Sequence, residues 1–384
     1  MKALFVYTAK IFSCDGHYYT NNLPASIWRD RYRKLFDSIE VFAREVPVNK
    51  CDEALSEYDG VSFCLTSLGI DKRDLITKRK AIYNEIFARV ESVDFVVARM
   101  GFFGVLAAKA ARKLKKPYAC EVVGSSWDDL WNYSLSGKMA ACWLQPQVKF
   151  ELRKAKYAVY VTNKYLQKEY PCKGTTIGIS NVILPHHESA TINRRMERIY
   201  KKKESDVVIL GTAAAIDVPY KGQRFVIAAL CRLNEMGIRC EYRLAGNGSQ
   251  VPLLRIAEQF GVSSQVKFVG TLPHERMSEF FDGLDIYIQP SLQEGLPRAM
   301  IEAMGRGLPS IGAKTAGIPE LINHAFVCRR KSVSDIVKAV AQLVRNKELM
   351  CKIANENFRK SFEYEKEVLE KRWFNFYSHA IADF

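Results

Sequence analysis

Metal-binding and redox cysteine spacing is missing from this chain. Its ten cysteines are scattered and none forms a C-x-x-C pair, so neither a zinc knuckle nor a dithiol motif is encoded, and no metal ligand set is expected. Cysteines placed in this way behave as small buried hydrophobes, which points to a reduced, cytoplasmic setting. Long apolar runs are missing too. No stretch approaches the roughly 18 uncharged residues that a spanning helix needs. The longest, 100–108, is flanked by Arg99 and Lys109. The opening residues MKALFVYTAKIF lack an apolar core followed by a small-residue cleavage site and are read as a β-strand. There is no internal repeat or low-complexity tract, which excludes solenoid and disordered-linker architectures.

Acid is in short supply. Lys and Arg number 57 against 42 Asp and Glu, a net charge of +15, and residues 101–195 alone hold 15 against 6, or +9. Such a bias suits an anionic partner, either lipid headgroups or a phosphorylated substrate, and a solvated basic face gives the same count. No nucleic-acid motif accompanies the charge, so nucleic acid is not expected as a partner. A peripheral position on the inner face of the cell membrane is compatible with these features.

What the chain does have is alternation. Its 384 residues suggest two domains. Short apolar runs at 3–7, 39–42, 61–65, 95–98, 118–123 and 158–161 predict strands, with helices at 26–38, 104–114 and around 147–154. The second half repeats the pattern, with strands at 207–210, 241–245, 266–269, 285–288 and 310–311 separated by helical segments. Strands alternating with helices of this length imply parallel sheets covered on both faces, hence an α/β fold of two Rossmann-like domains. The predicted divisions are an N-terminal domain at 1–190, a polar linker at 191–204, a C-terminal domain at 205–363, and a terminal helix at 364–384 that packs back on the N-terminal domain.

The segment with the most chemistry is PSLQEGLPRAMIEAMGRGLPSIGAKTAGIPELI, beginning at Pro290. A strand ends near Gln289, a loop follows, and a helix starts near Arg298. The free N–H groups and dipole of that helix favour a phosphate or other electronegative group. Glu294 lies in the loop. Glu302 lies on the first full turn, where its carboxylate can accept two hydrogen bonds from vicinal hydroxyls. Taken singly, each glutamate would be a solvated loop or helix residue.

This stretch resembles the signature of glycosyltransferase family 4, the retaining transferases of the GT-B fold. Supporting pieces stand in order: Gly211 closes an apolar strand, Lys221-Gly222 precedes a helix, Gly246-Asn247-Gly248 makes a Gly-x-Gly turn, and Gly270-Thr271 follows the next strand. The resemblance implies two Rossmann-like domains facing a central cleft. It implies transfer, without a metal or other cofactor, of a hexose-type sugar from a UDP- or GDP-linked donor to a glycan or lipid-linked acceptor, in assembly of O-antigen, capsule or exopolysaccharide. Other GT-B nucleotide-sugar enzymes, such as an epimerase or a hydrolase, and a non-catalytic relative remain as alternatives.

The resemblance also assigns residues. Lys221 would neutralise the donor diphosphate and Glu302 would bind the ribose. Glu294, with the backbone of Gly295, Leu296 and Pro297, would contact the sugar. Gly270 and Thr271 would lie against the base, and Gly211, Thr212, Gly246, Asn247 and Arg298 would complete the donor side. Thr212 stands where many members carry Arg. On the acceptor side the chain offers His17, in the stretch after the first strand, and Glu121, Trp127 and Asp128 at the end of another strand. A helix-capping role for Asp128 is equally open.

Overall fold

The computed structural model describes residues 1–20, 23, 27–50, 56–58, 61–69, 74–131 and 135–384. The chain forms two compact units, one of Met1–Ile179 with Glu370–Phe384 and one of Ser180–Leu369.

The first unit is built on a long strand. β1 (Lys2–Cys14) turns at Asp15 and Gly16 into β2 (His17–Thr20), and β3 (Ser38–Pro47), β4 (Ser56–Glu57), β5 (Ser62–Phe63), β6 (Phe95–Arg99), β7 (Tyr118–Val122), β8 (Tyr157–Tyr160) and β9 (Thr175–Gly178) follow. β6 and β7 are buried at every residue, as strands covered on both faces must be. β1 runs parallel to β3 on one side, and on the other it pairs with β6 over Ala3–Val6 and with β2 over Phe12–Cys14. The parallel strands therefore run β5-β3-β1-β6-β7-β8-β9, with the direction of winding reversing between β1 and β6.

One expectation fails in this unit. The helix expected over 26–38 is a π-helical turn, Ile27–Arg31, followed by a 3₁₀ turn, Tyr32–Lys34. Trp28 and Tyr32 on those turns are buried in an aromatic cluster with Phe5, so tertiary packing overrides the helical spacing. The stretch after the first strand, which carries His17, is a β-hairpin. The closing helix, Lys366–Ala382, packs Trp373 and Tyr377 edge-to-face against Tyr32.

The second unit holds β10 (Val208–Ala213), β11 (Cys240–Ala245), β12 (Val266–Gly270), β13 (Ile286–Gln289), β14 (Ser310–Ala313) and β15 (Val327–Cys328). Every pair is parallel and the order is β12-β11-β10-β13-β14-β15. This doubly wound order reverses between β10 and β13, and in such sheets ligands bind beyond the carboxyl ends of the strands at the reversal.

The expected linker at 191–204 is corrected. Residues Ser189–Lys201 are a helix of this unit. Its buried face is Thr191, Arg195 and Ile199. The Arg195 guanidinium donates to the carbonyls of Leu284, Phe281 and Arg306, and burial lowers its pKa to about 10. Three carbonyl acceptors are what allow a charged group to be buried here.

Candidate functional site

β10 and β13 end side by side, and the chain beyond each carries the chemistry. After β10, the loop is tied by Ala214 N–H to the Ala245 carbonyl (2.9 Å), Ile216 N–H to the Asn247 carbonyl (2.9 Å), and the buried Gln223 amide to the Ala215 carbonyl (2.9 Å). A 3₁₀ turn, Pro219–Lys221, ends in Gly222 with φ +76°. A Cβ at Gly222 would lie 2.2 Å from the Pro290 carbonyl oxygen, so glycine is required both for the backbone conformation and for the close approach of the two loops. Leu292 N–H donates to the Tyr220 carbonyl at 2.7 Å and completes the join.

That join brings together two residues 73 positions apart. Lys221 Nζ lies 2.8 Å from Glu294 Oε1. The side chains are 22% and 11% exposed. The same Glu294 oxygen accepts from Gln289 Nε2 at 3.1 Å, and Gln289 in turn contacts Ser291 Oγ (2.8 Å) and the Tyr287 hydroxyl (2.6 Å). Tyr287, Gln289 and Ser291 are all buried. Burial pushes the Tyr287 hydroxyl well above its ordinary pKa, and Glu294 and Glu302 push in the same direction. This fixed network holds Glu294 at the mouth of helix Arg298–Gly305. Gly295 is fastened by Gly317 N–H to its carbonyl (3.0 Å).

Glu302 lies within that helix and is half-buried. Burial raises its pKa, opposed by His274 and Arg298. Among the described residues no hydrogen bond or ion pair satisfies its carboxylate. A desolvated acceptor left open in this way is costly in the free protein and suits a ligand that brings hydroxyl donors.

Several sequence assignments need correction. Thr212 is fully buried inside the sheet. Its hydroxyl donates to the Ile288 carbonyl at 2.6 Å and accepts from the Tyr242 hydroxyl at 2.7 Å, so it braces β10 against its neighbours and faces no open space. Gly211 is structural as well: a Cβ there would lie 2.2 Å from Leu284 Cδ1. Pro297 is the N-cap of helix Arg298–Gly305 and has no N–H, so the local amide donors are Gly295, Leu296 and the first helical residues.

Other donor-side residues stand at strand ends. Gly246, with φ +154° and no room for a Cβ against the Ala214 carbonyl, closes β11. Asn247 is exposed just beyond it. Gly270 closes β12 and accepts the Gly246 N–H at 2.9 Å, with exposed Thr271 following. Gln289, Tyr287 and His274 were missed from sequence. Gln289 had a signal, a polar residue ending an apolar strand, whereas His274 is linked to Glu302 only through the fold.

In the first unit, Glu121 is not an open acceptor-side group. It is buried and accepts hydrogen bonds from the hydroxyls of Tyr32 and, at 2.9 Å, Tyr377. It ties the closing helix to β7. His17 sits on β2, exposed, with Nδ1 2.6 Å from Glu57 Oε1. Trp127 lies in helix Ser126–Trp131, stacked on Trp131 at 4.5 Å between centroids. Asp128 belongs to the same helix, and its side chain lies outside the described residues.

Residues 193–360 match the model of the family described as Glycosyl transferases group 1. Over its whole length the chain is 29% identical to Protein CapJ of Staphylococcus aureus, covering 100% of this chain and 97% of that protein. It is 38% identical over 111 residues to the amylovoran biosynthesis glycosyltransferase AmsK of Erwinia amylovora, a match covering 27% of each. Among solved structures, Anabaena Alr3699/HepE in complex with UDP aligns with a TM-score of 0.68 at 14% identity, covering 99% of this chain and 100% of that one. The fold is thus two parallel-sheet Rossmann-like α/β domains of the kind found in GT-B glycosyltransferases, and the family match and named relatives support a transferase enzyme. The sequence relatives place its similarities among proteins of bacterial polysaccharide biosynthesis.

Proposed function

We propose that the protein is a retaining family 4 glycosyltransferase. It moves a hexose-type sugar from a nucleoside-diphosphate sugar to a glycan or lipid-linked acceptor during assembly of a bacterial surface polysaccharide. The observation that carries this reading is Glu302: a half-buried carboxylate with no hydrogen-bond or ion-pair partner among the described residues, on the helix that follows the Lys221–Glu294 pair at the β10/β13 reversal. Ribose hydroxyls supply the donors that Glu302 lacks. Lys221 and Arg298, with the amides opening helix Arg298–Gly305, meet the diphosphate charge, so electrostatic stabilisation of the leaving group needs no bound metal.

In the reaction, the bond from the sugar anomeric carbon to the diphosphate oxygen breaks as the acceptor hydroxyl oxygen bonds to the same face of that carbon. The acceptor proton passes to the departing phosphate oxygen. Glu294 orients the transferred sugar through its carboxylate and is not assigned as a nucleophile. In the free protein Lys221 is occupied by Glu294, so donor binding exchanges this partner for phosphate.

The test is a thermal-shift panel with UDP, GDP, ADP and CMP on the wild type, Lys221→Ala and Glu302→Ala. One nucleoside diphosphate is expected to raise the melting temperature of the wild type, an effect reduced in both variants. UDP is the first choice because the structurally similar HepE was solved with it. Absence of a shift with every nucleotide removes the donor-site reading. Turnover of the sugar nucleotide without any acceptor would indicate a hydrolase or epimerase.

A further inference from the structure

Helix Leu135–Lys154 of the first unit has two contrasting faces. Ala141, Leu144, Val148 and Leu152 are buried. Met139, Trp143, Pro146 and Phe150, at spacings of four, three and four residues, are exposed along the opposite side. Met139 is 77% exposed, Phe150 50% and Trp143 38%, with Trp131 at 37% just before the helix. Lone exposed apolar residues are ordinary, whereas a stripe including a methionine and two aromatics is not.

The exposed charge on this helix is basic, and one neighbouring acid, Glu169, pairs with Lys149 at 3.0 Å. The helix carries Lys138, Lys149, Arg153 and Lys154. Its one acidic residue, Glu151, is buried and paired with Arg112 at 3.1 Å. The cations are interleaved with the rings: Lys138 lies 5.3 Å from the Trp131 centroid, Arg79 4.8 Å from that of Trp143, and Lys154 5.9 Å from that of Phe150. Alongside runs an open groove of about 530 Å³, walled in part by Trp127, Pro146 and Phe150 with Lys149 and Arg153. Among the described residues no helix is long and apolar enough to cross a membrane.

We propose that this face of helix Leu135–Lys154 is an interfacial anchor that lies on an anionic lipid bilayer. Aromatic and methionine side chains enter the boundary between headgroups and acyl chains while the flanking cations meet lipid phosphates, which is the division of labour in in-plane membrane helices. A soluble acidic protein would satisfy the cations but gives no account of the apolar stripe. The inference deepens the lipid-linked branch of the proposed function and rests on it only for its purpose, since the face belongs to a different unit from the donor site.

The experiment is flotation of the full-length protein with vesicles of phosphatidylcholine alone or mixed with phosphatidylglycerol. The wild type is expected to float with the anionic vesicles and to be released by high salt. Two variants separate the contributions: Lys138→Glu/Arg153→Glu for charge and Met139→Ser/Phe150→Ser for apolar contact. At about fivefold per cation, the charge variant should partition at least ~25-fold less. The apolar variant should lose binding even at low salt, with its circular dichroism melt unchanged. Failure of the wild type to float on anionic vesicles overturns the proposal, as does flotation of both variants at wild-type levels. Equal retention on a soluble polyanion would also overturn it, marking the face as a general anion surface. Nucleotide thermal shifts run on the same samples keep the two readings apart: a lost shift with intact flotation removes the donor site and leaves the anchor standing.

Discussion

Replacing Lys221 with Met asks whether this lysine serves the donor or only its neighbour. Its ammonium sits 2.8 Å from Glu294, both side chains less than a quarter exposed. Without Lys221, Glu294 keeps the Gln289 amide at 3.1 Å but loses its cation, a loss of about 1–3 kcal/mol for a desolvated charged group. If Lys221 also contacts the donor diphosphate, a charge-assisted hydrogen bond of about 1.5–3 kcal/mol disappears from binding, which is about ten- to a hundredfold in Kd. The assay is titration calorimetry with the nucleoside diphosphate that stabilises the wild type, on Lys221→Met, Glu294→Gln and the double variant. Glu294→Gln releases Lys221 and should bind the diphosphate as well as or better than the wild type, while transferring sugar more slowly. Lys221→Met should bind at least about tenfold more weakly with or without Glu294→Gln. Recovery of wild-type affinity in the double variant would refute the reasoning, because it would mean that Lys221 acts only by neutralising Glu294.

Glu302→Gln should stabilise the free protein at neutral pH. Burial raises the Glu302 pKa, so its contribution to folding is fully present below the unfolded carboxylate pKa and lost as pH rises through the raised value. The gain in melting temperature over wild type should therefore shrink in acid, while nucleotide affinity falls at neutral pH. Gly222→Ala combines φ +76° with a 2.2 Å approach to the Pro290 carbonyl, whereas Gly270→Ala, at φ +81°, has open space around its Cβ. The first should cost at least about 2 kcal/mol by denaturant melt and weaken nucleotide binding, the second only about 1 kcal/mol of backbone strain. Tyr377→Phe removes the 2.9 Å hydrogen bond to the buried Glu121 carboxylate and should lower stability by about 1.5–3 kcal/mol in chemical denaturation, with nucleotide affinity unchanged.

Much of the second unit was legible because its signals are local. Apolar strands buried on both faces, glycines at the strand ends, and the loop bearing Glu294 all lie within single strand–loop–helix units. The misreadings come from contacts that a linear pattern does not contain. Glu121 ends a strand beside polar residues and so looked like a site, yet its partner Tyr377 comes 256 residues later. The stretch at 191–204 looked like a linker because of its charges. Thr191, Arg195 and Ile199 nevertheless fall four apart, a helical spacing that was available, and only the carbonyl cage around Arg195 explains how a cation could occupy the buried face. Gly211 and Thr212 were expected at and just past the end of a strand over 207–210, but β10 runs on to Ala213, so the Thr212 side chain and the space at Gly211 are taken up inside the sheet.

The meeting of Lys221 with Glu294 follows from strand order more than from either motif. In a doubly wound sheet the first and fourth strands are neighbours, so the loops that follow them converge whatever their sequences. The first unit reverses in the same way between β1 and β6, and residues there are braced against one another. Thr8 Oγ1 accepts the Phe103 N–H at 2.9 Å near the start of helix Phe102–Leu114, and Arg44 donates to the Thr8 carbonyl at 2.7 Å. In the second unit, among the described residues, no hydrogen bond or ion pair reaches the Glu302 carboxylate. Topology thus supplies a meeting point in both units, and the open Glu302 carboxylate in the second is what the proposed donor site rests on.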